Sequence, residues 1–171
     1  MPGDTRYRVG LGTDIHRILV GRKLRLGGID IPGIMGTDAH SDGDVVLHSL
    51  CDALAGAAGL PDIGEMFPDS DPKFRDADSS TFLREVMRRV REAGWAIGNA
   101  DVVIGLQYTK VAPFKAAMRE KLAGLLGVPL DCVNVKAKTG ERMGPVGEGR
   151  AVECTAVVLL EKAHGGGLTE P

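Results

Sequence analysis

Aromatic residues are scarce: among 171 residues there is one Trp, two Tyr and four Phe. So thin a supply leaves no stacking platform for nucleic-acid bases. Charge agrees, because 21 Lys and Arg against 23 Asp and Glu leave −2, and no basic stripe dominates. Nucleic acid is therefore not an expected partner. No stretch approaches the ~18 apolar residues of a membrane span, so no membrane partner is expected. Met1-Pro2-Gly3-Asp4-Thr5 lacks the apolar core of a secretory signal. The three cysteines, Cys51, Cys132 and Cys154, are odd in number, far apart and form no CxxC pair. They read as buried thiols in a reducing compartment. Repeats and interdomain linkers are absent too. What remains is an ordinary apolar fraction of 43% in a chain whose length suits one domain.

Histidine is also rare, with four in the chain, yet His16, His40 and His48 fall in two short polar stretches. His40-Ser41-Asp42-Gly43-Asp44-Val45-Val46-Leu47-His48 reads as a loop turning directly into a helix. Ser41 or Asp42 is the expected cap, and the free N–H groups of the first turn suit an anion. His48 then sits about one turn into the helix. Upstream, Asp14-Ile15-His16 places two ligand types at i and i+2, on one face of a strand. Asp14, His16 and His48 together form the O/N/N set of a catalytic zinc, with a fourth position open. An open-sided metal beside an anion-binding helix start points to phosphate chemistry. Asp44 and Asp52, four residues either side of His48, are each placed to orient it.

Three other patterns fail on spacing. Gly10-x-Gly12 would need its third glycine at Ile15, so it is no dinucleotide loop. Asp38-x-His40-x-Asp42-Gly43 would need a Glu where Ser49 stands, so it is no calcium loop. His40, Ser41 and an Asp adjacent on one loop make no nucleophilic triad.

The remaining periodicities set the elements. Tyr7–Asp14 alternates as a strand. Lys23–Ile31 is a hairpin around Gly27-Gly28, read as a short arm outside the core. The helix after Gly43 runs to about Leu60, stopped by Gly59 and Pro61. Residues 61–78 form a long loop with three prolines. A helix from Ser79-Ser80 buries Phe82, Leu83, Val86, Met87 and Val90, with Arg84, Arg88, Arg89 and Arg91 solvated. A strand from Trp95 to Tyr108 follows, then a helix from Pro113 to Gly127. Strands at Val133–Lys138 and Ala151–Leu160 flank a glycine-rich loop, Thr139–Gly147. One α+β domain over residues 1–162 is predicted, with a disordered tail over 163–171.

Asp14-x-His16, the HSDGDxxxH run, Asp62-Ile63-Gly64, Phe67-Pro68-Asp69 and the VNVKA-x-T-x-E run from Val133 to Glu141 resemble one family. It is that of 2-C-methyl-D-erythritol 2,4-cyclodiphosphate synthase, of the non-mevalonate isoprenoid pathway. The resemblance runs from about Arg6 to Lys162. It implies a mixed, mostly antiparallel sheet with helices on one face, assembled as a homotrimer with active sites between subunits. It implies a phosphorus–oxygen lyase that cyclises 4-diphosphocytidyl-2-C-methyl-D-erythritol 2-phosphate and releases CMP. Asp14, His16 and His48 would hold Zn2+, and Glu141 a second divalent cation, Mg2+ or Mn2+. His40 and Thr139 would be catalytic. Asp62, Ile63 and Gly64 would bind the methylerythritol hydroxyls. Ile15, Ser41, Phe67, Pro68, Asp69, Ser70 and Asp71 would line the substrate site. So would Leu106, Gln107, Tyr108, Thr109, Lys110, Val111, Ala112, Lys138 and Gly140. A bacterial cytoplasmic, stand-alone form is expected.

The physics of that reaction suits such a site. Nucleophile and target are both anionic, and each unit-charge pair 4 Å apart repels by about 4 kcal/mol at an effective dielectric of 20. Catalysis is then largely electrostatic, plus positioning worth ~7 kcal/mol or more. A zinc phosphodiesterase and a non-catalytic prenyl-diphosphate-binding trimer are the competing readings. The chain departs from the family where Gly147-Glu148-Gly149-Arg150 exchanges the two charges of the usual Gly-Arg-Gly-Glu. Pro145 stands for the usual Phe, and Thr109 for a frequent Pro. The exchanged charges still allow an intersubunit ion pair, and the trimer is expected to persist with weaker anion binding on its axis.

Overall fold

The computed structural model describes residues 5–68, 70–74 and 77–163. The expectation for Asp69, and that for the tail beyond Ala163, lie outside the described residues. Ala163 itself is tied down, its amide donating to Gly94 O at 2.9 Å.

The organising strand, β1 (Tyr7–Val20), runs well past the predicted end at Asp14. Its even positions face inward, and two of the first inward positions are Gly10 and Gly12. Side chains there would collide with the backbone carbonyls of Ala53 and Ser49. Those carbonyls belong to α1 (Val45–Ala58), so the paired glycines let the helix backbone lie directly on the strand. Gly59, in the left-handed region, closes α1 at the predicted place. The cap at its other end is Asp44, which accepts from Val46 N and Leu47 N. Ser41 and Asp42, the expected caps, are engaged elsewhere. Ser41 Oγ lies by His48, and Asp42 bonds the start of the next long helix.

The hairpin of β2 (Leu24–Leu26) and β3 (Ile29–Ile31) turns on Gly27 and Gly28, both at positive φ, as its sequence predicts. It is not an arm. Leu24, Leu26 and Ile31 are buried in the core, because the turn is drawn in by the buried Asp44 carboxylate. A further short strand, β4 (Met35–Asp38), pairs with the end of β1 and went unpredicted.

The 61–78 loop contains a one-turn helix, α2 (Ile63–Met66), capped by Asp62. Then come α3 (Ser79–Glu92), with the predicted buried face, and β5 (Trp95–Gly105), three residues shorter than predicted. Arg88 and Arg89 pair with Glu85 on the solvent side. The segment closes with α4 (Lys115–Leu126), β6 (Val133–Lys138), a single turn α5 (Gly144–Gly147) and β7 (Ala151–Lys162).

The main sheet has the order β4-β1-β7-β5-β6, antiparallel throughout except for β5 and β6. Inward residues such as Val102, Ile104, Ala156, Val158 and Leu160 join α1, α3 and α4 in one core. The predicted α+β domain, with helices on one face, is therefore what the chain forms. The other face leaves Tyr7, Val9, Leu11, Ile15 and Val157 exposed. Cys51 and Cys154 are buried as expected, whereas Cys132 is only half-buried. Among the described residues, no helix is long and apolar enough to cross a membrane.

Candidate metal centre and substrate site

After Gly10 and Gly12, the next two inward positions of β1 are Asp14 and His16. The glycines bring α1 close, so His48, on its first turn, meets both. Asp14 Oδ2 lies 2.9 Å from His48 Nδ1 and 3.1 Å from His16 Nε2, and the two nitrogens are 3.2 Å apart. Tetrahedral zinc with bonds of 2.0–2.1 Å sets ligand–ligand edges of about 3.3 Å, close to this triangle. The donor chemistry fits as well. A carboxylate oxygen and two imidazole nitrogens converge with their lone pairs, an arrangement that a shared cation satisfies. Among the described residues, Asp14, His16 and His48 are the one group of acidic, histidine or cysteine side chains arranged to hold a metal.

Charge is shared within the trio. Burial pushes the Asp14 carboxyl up, but its hydrogen bonds and electrostatic interactions with His16 and His48 outweigh it and hold the group well below the usual carboxylate range. Burial pushes His48 down, and the Asp14 bond and charge raise it above its ordinary value. Neither aspartate predicted to orient His48 does so. Asp44 is turned to the Gly27 and Gly28 amides. Asp52 accepts Ile63 N at 2.8 Å and so ties α2 to α1.

The trio lies on the wall of a cavity of about 370 Å³, within the ordinary range for ligand sites. His40, Ser41, Ile63, Gly64, Phe67 and Pro68, all among the residues expected at the site, line it. His40 Nε2 is buried and has no hydrogen-bond partner among the described residues, so it is available to a ligand. Phe74 and Phe82 also line the cavity. Phe67 stacks on Phe82 at 4.6 Å, and Phe74 meets both edge-on. Three of the four phenylalanines are thus concentrated at one wall, which no single motif announces. Asp62 and Ile15 do not line the cavity. Asp62 caps α2 through Glu65 N, and Ile15 points to the opposite face of the sheet. Asp71 pairs with Lys73, and neither it nor Ser70 lines the cavity.

The other predicted residues gather elsewhere, after the parallel ends of β5 and β6. Leu106 N donates to Lys138 O, joining the two loops. Leu106, Tyr108 and Thr109 share a small recess with Ile18, Leu24, Met35 and Gly149. Gln107 Oε1 accepts the amides of Gly140 and Arg142, so it clamps the 139–143 loop. That loop holds Glu141 and Arg142 at positive φ, a strained conformation for side-chain-bearing residues. Thr139 Oγ1 donates to Glu141 Oε1 at 2.6 Å. None of residues 106–112 or 138–141 lines the metal cavity. Within one chain the exchanged charges lie together, with Arg150 Nη2 at 2.5 Å from Glu148 Oε2. Being two residues apart at a turn, they reach each other without a second subunit.

Relatives carry the same fold and sequence pattern. The YgbB family model matches residues 7–161. The chloroplastic 2-C-methyl-D-erythritol 2,4-cyclodiphosphate synthase of Oryza sativa is 52% identical over 90% of this chain and 69% of its own length. The synthase of that name from Moorella thermoacetica is 49% identical over 94% of this chain and 99% of its own. The solved IspF of Plasmodium falciparum, a CDP complex, superposes with a TM-score of 0.83 at 33% identity, covering 95% of this chain and all of that one. This chain belongs to the YgbB family, that of the 2-C-methyl-D-erythritol 2,4-cyclodiphosphate synthases.

Proposed function

We propose that the chain is a 2-C-methyl-D-erythritol 2,4-cyclodiphosphate synthase of a bacterial cytoplasm. It takes 4-diphosphocytidyl-2-C-methyl-D-erythritol 2-phosphate, and the 2-phosphate attacks the β-phosphorus while CMP leaves. The observation that carries this is the Asp14–His16–His48 triangle on the wall of a cavity where His40 Nε2 has no partner among the described residues. Zinc held there supplies Lewis-acid polarisation of a phosphate oxygen. His40 donates to a phosphoryl oxygen as charge builds on it. Ile63, Gly64, Phe67 and Pro68 wall the cavity against water, which protects the diphosphate from hydrolysis. Attack within one molecule needs no protein nucleophile, so the remaining task is to hold the folded-back conformer.

Thr139, Glu141 and residues 106–112 stand apart from the metal cavity in one chain, so we assign the complete site to two neighbouring subunits of a homotrimer. The cytidine sits on the 106–112 loop, with Lys110 and Lys138 near its phosphates. Glu141 holds the second cation, Mg2+ or Mn2+. The exposed Val9, Leu11, Ile15 and Val157 form the apolar sheet face that trimerisation covers. Light scattering should give about three times 18.1 kDa.

The test is direct. Incubation with the diphosphocytidyl substrate should release CMP and the cyclic diphosphate in equal amounts, followed by phosphorus NMR. In oxygen-18 water the products should stay unlabelled. Label in the phosphate would instead favour a zinc phosphodiesterase, and background CMP release would sink the synthase reading.

A further inference from the structure

We infer that Ser79 and Asp42 are positioning residues that fix the tautomer of His48 toward the metal. The inference rests on the metal reading of the Asp14–His16–His48 cluster. His48 uses Nδ1 toward Asp14 and His16, which leaves Nε2 facing away. Ser79 Oγ lies 2.8 Å from that Nε2, and it donates in turn to Asp42 Oδ1. Ser79 is wholly buried.

Counting protons decides the direction of this chain. Ser79 has one hydroxyl proton, and the Asp42 carboxylate only accepts. That proton therefore goes to Asp42, and the Ser79 oxygen is left to accept from His48. Nε2 must then carry the imidazole hydrogen, which leaves Nδ1 with a bare lone pair. Nδ1 is the atom that belongs to the triangle. The same wiring makes the ring a better electron donor, because a hydrogen-bonded N–H raises ligand basicity. Ser41 Oγ also approaches Nε2, at 3.3 Å, but no carboxylate among the described residues backs it.

Asp42 is itself held. Its Oδ2 accepts Ser79 N at 3.1 Å and faces Arg25 Nη1 at 3.4 Å, and its amide donates to Ala77 O. The carboxylate thus locks the start of α3, the hairpin and a metal ligand into one arrangement. Asp44 and Asp52, the aspartates that helical spacing puts beside His48, have no such path to its ring.

The experiment compares zinc affinity, by competition with a chromophoric chelator, in wild type, Ser79→Ala and Ser80→Ala. Ser80 is the control. It is equally buried at the same helix start, but its hydroxyl bonds Asp78 rather than the ring. Ser79→Ala should weaken zinc binding ~10- to 100-fold, and Ser80→Ala should leave it within about twofold. Equal losses in the two variants, or no loss in Ser79→Ala, would overturn the relay. Nitrogen-15 shifts of the zinc-loaded wild type give a reading that needs no variant. They should show His48 with Nε2 protonated and Nδ1 metal-bound, and the reverse tautomer would refute the inference. If wild type itself takes up no zinc, the metal reading fails instead.

Discussion

Asp44 Oδ2 accepts the amide of Gly28 at 2.6 Å, joining the start of α1 to a turn 16 residues earlier in the chain. Its other oxygen accepts Gly27 N, Val46 N and Leu47 N at 2.9–3.2 Å. Burial pushes this carboxyl up, while the Gly28, Gly27 and Leu47 amides pull it down. One side chain therefore satisfies the orphan donors of a helix and of a hairpin turn, with no solvent to replace it. Asp44→Ala strands those donors, and each buried unpaired group costs ~1–3 kcal/mol. A loss of about 3 kcal/mol or more is expected in urea unfolding. Asp44→Asn keeps one oxygen acceptor and should lose less. Equal stabilities for wild type and Asp44→Ala would contradict the cap.

Gly12 makes a different prediction, because here the neighbour is backbone. A methyl at this position meets Ser49 O and Ala53 N of α1, so the helix must move away from β1. Overpacking of this kind costs ~1–3 kcal/mol. The same displacement carries His48, on that helix, away from Asp14 and His16. Gly12→Ala should therefore bind zinc more weakly than its lost stability alone explains. Gly56, on the open side of α1, where an added Cβ would meet no described atom within 4 Å, is the control. Gly56→Ala should leave zinc uptake unchanged and raise stability slightly, as helix propensity favours Ala.

Much of this arrangement is legible before any coordinates. Asp14 and His16 share a face because a strand has period two, and the start of α1 follows from short polar residues before an apolar run. Long-range partners are not legible in that way. Asp42 and Asp44 look alike as caps in sequence. Which one turns inward depends on where the hairpin and α3 arrive, information that local spacing does not contain. The hairpin misled for the same reason. Leu24, Leu26 and Ile31 are too few to signal burial by periodicity, and their burial follows from the Asp44 tether. The aromatic wall of Phe67, Phe74 and Phe82 joins a loop, a 3-10 turn and a helix that only tertiary packing brings together.

The thiols give a pH dependence with a definite sign. Burial pushes Cys154 up to about 12, with Ser49 offsetting a little, and drives Cys51 well up too. Both groups bind their proton more tightly when folded. The stability this confers is complete below the ordinary thiol value of about 8.5 and is lost as pH rises toward the folded value. Unfolding free energy should therefore fall above pH 9, by about 1.4 kcal/mol per pH unit for Cys154 alone. Cys154→Ala should flatten that slope. At pH 8 a thiol reagent should modify Cys132 quickly and the other two only after denaturation, and three equally fast thiols would contradict the burial.

Thr139 Oγ1 donates to Glu141 Oε1 in the free chain, on a loop whose Glu141 and Arg142 are held at positive φ. The Gln107 clamp on Gly140 N and Arg142 N keeps the loop in that shape. A loop fixed in advance loses little entropy when a phosphate arrives, so its contacts can be kept for the transition state. Thr139→Ala removes one donor and leaves the clamp intact. It should lower kcat and kcat/KM together, by ~10²-fold for a donor to a developing oxyanion. Gln107→Ala leaves the donor in place and frees the loop, so it should raise KM as well as lower kcat. Unchanged kcat with raised KM in Thr139→Ala would move this hydroxyl from transition-state stabilisation to ground-state binding.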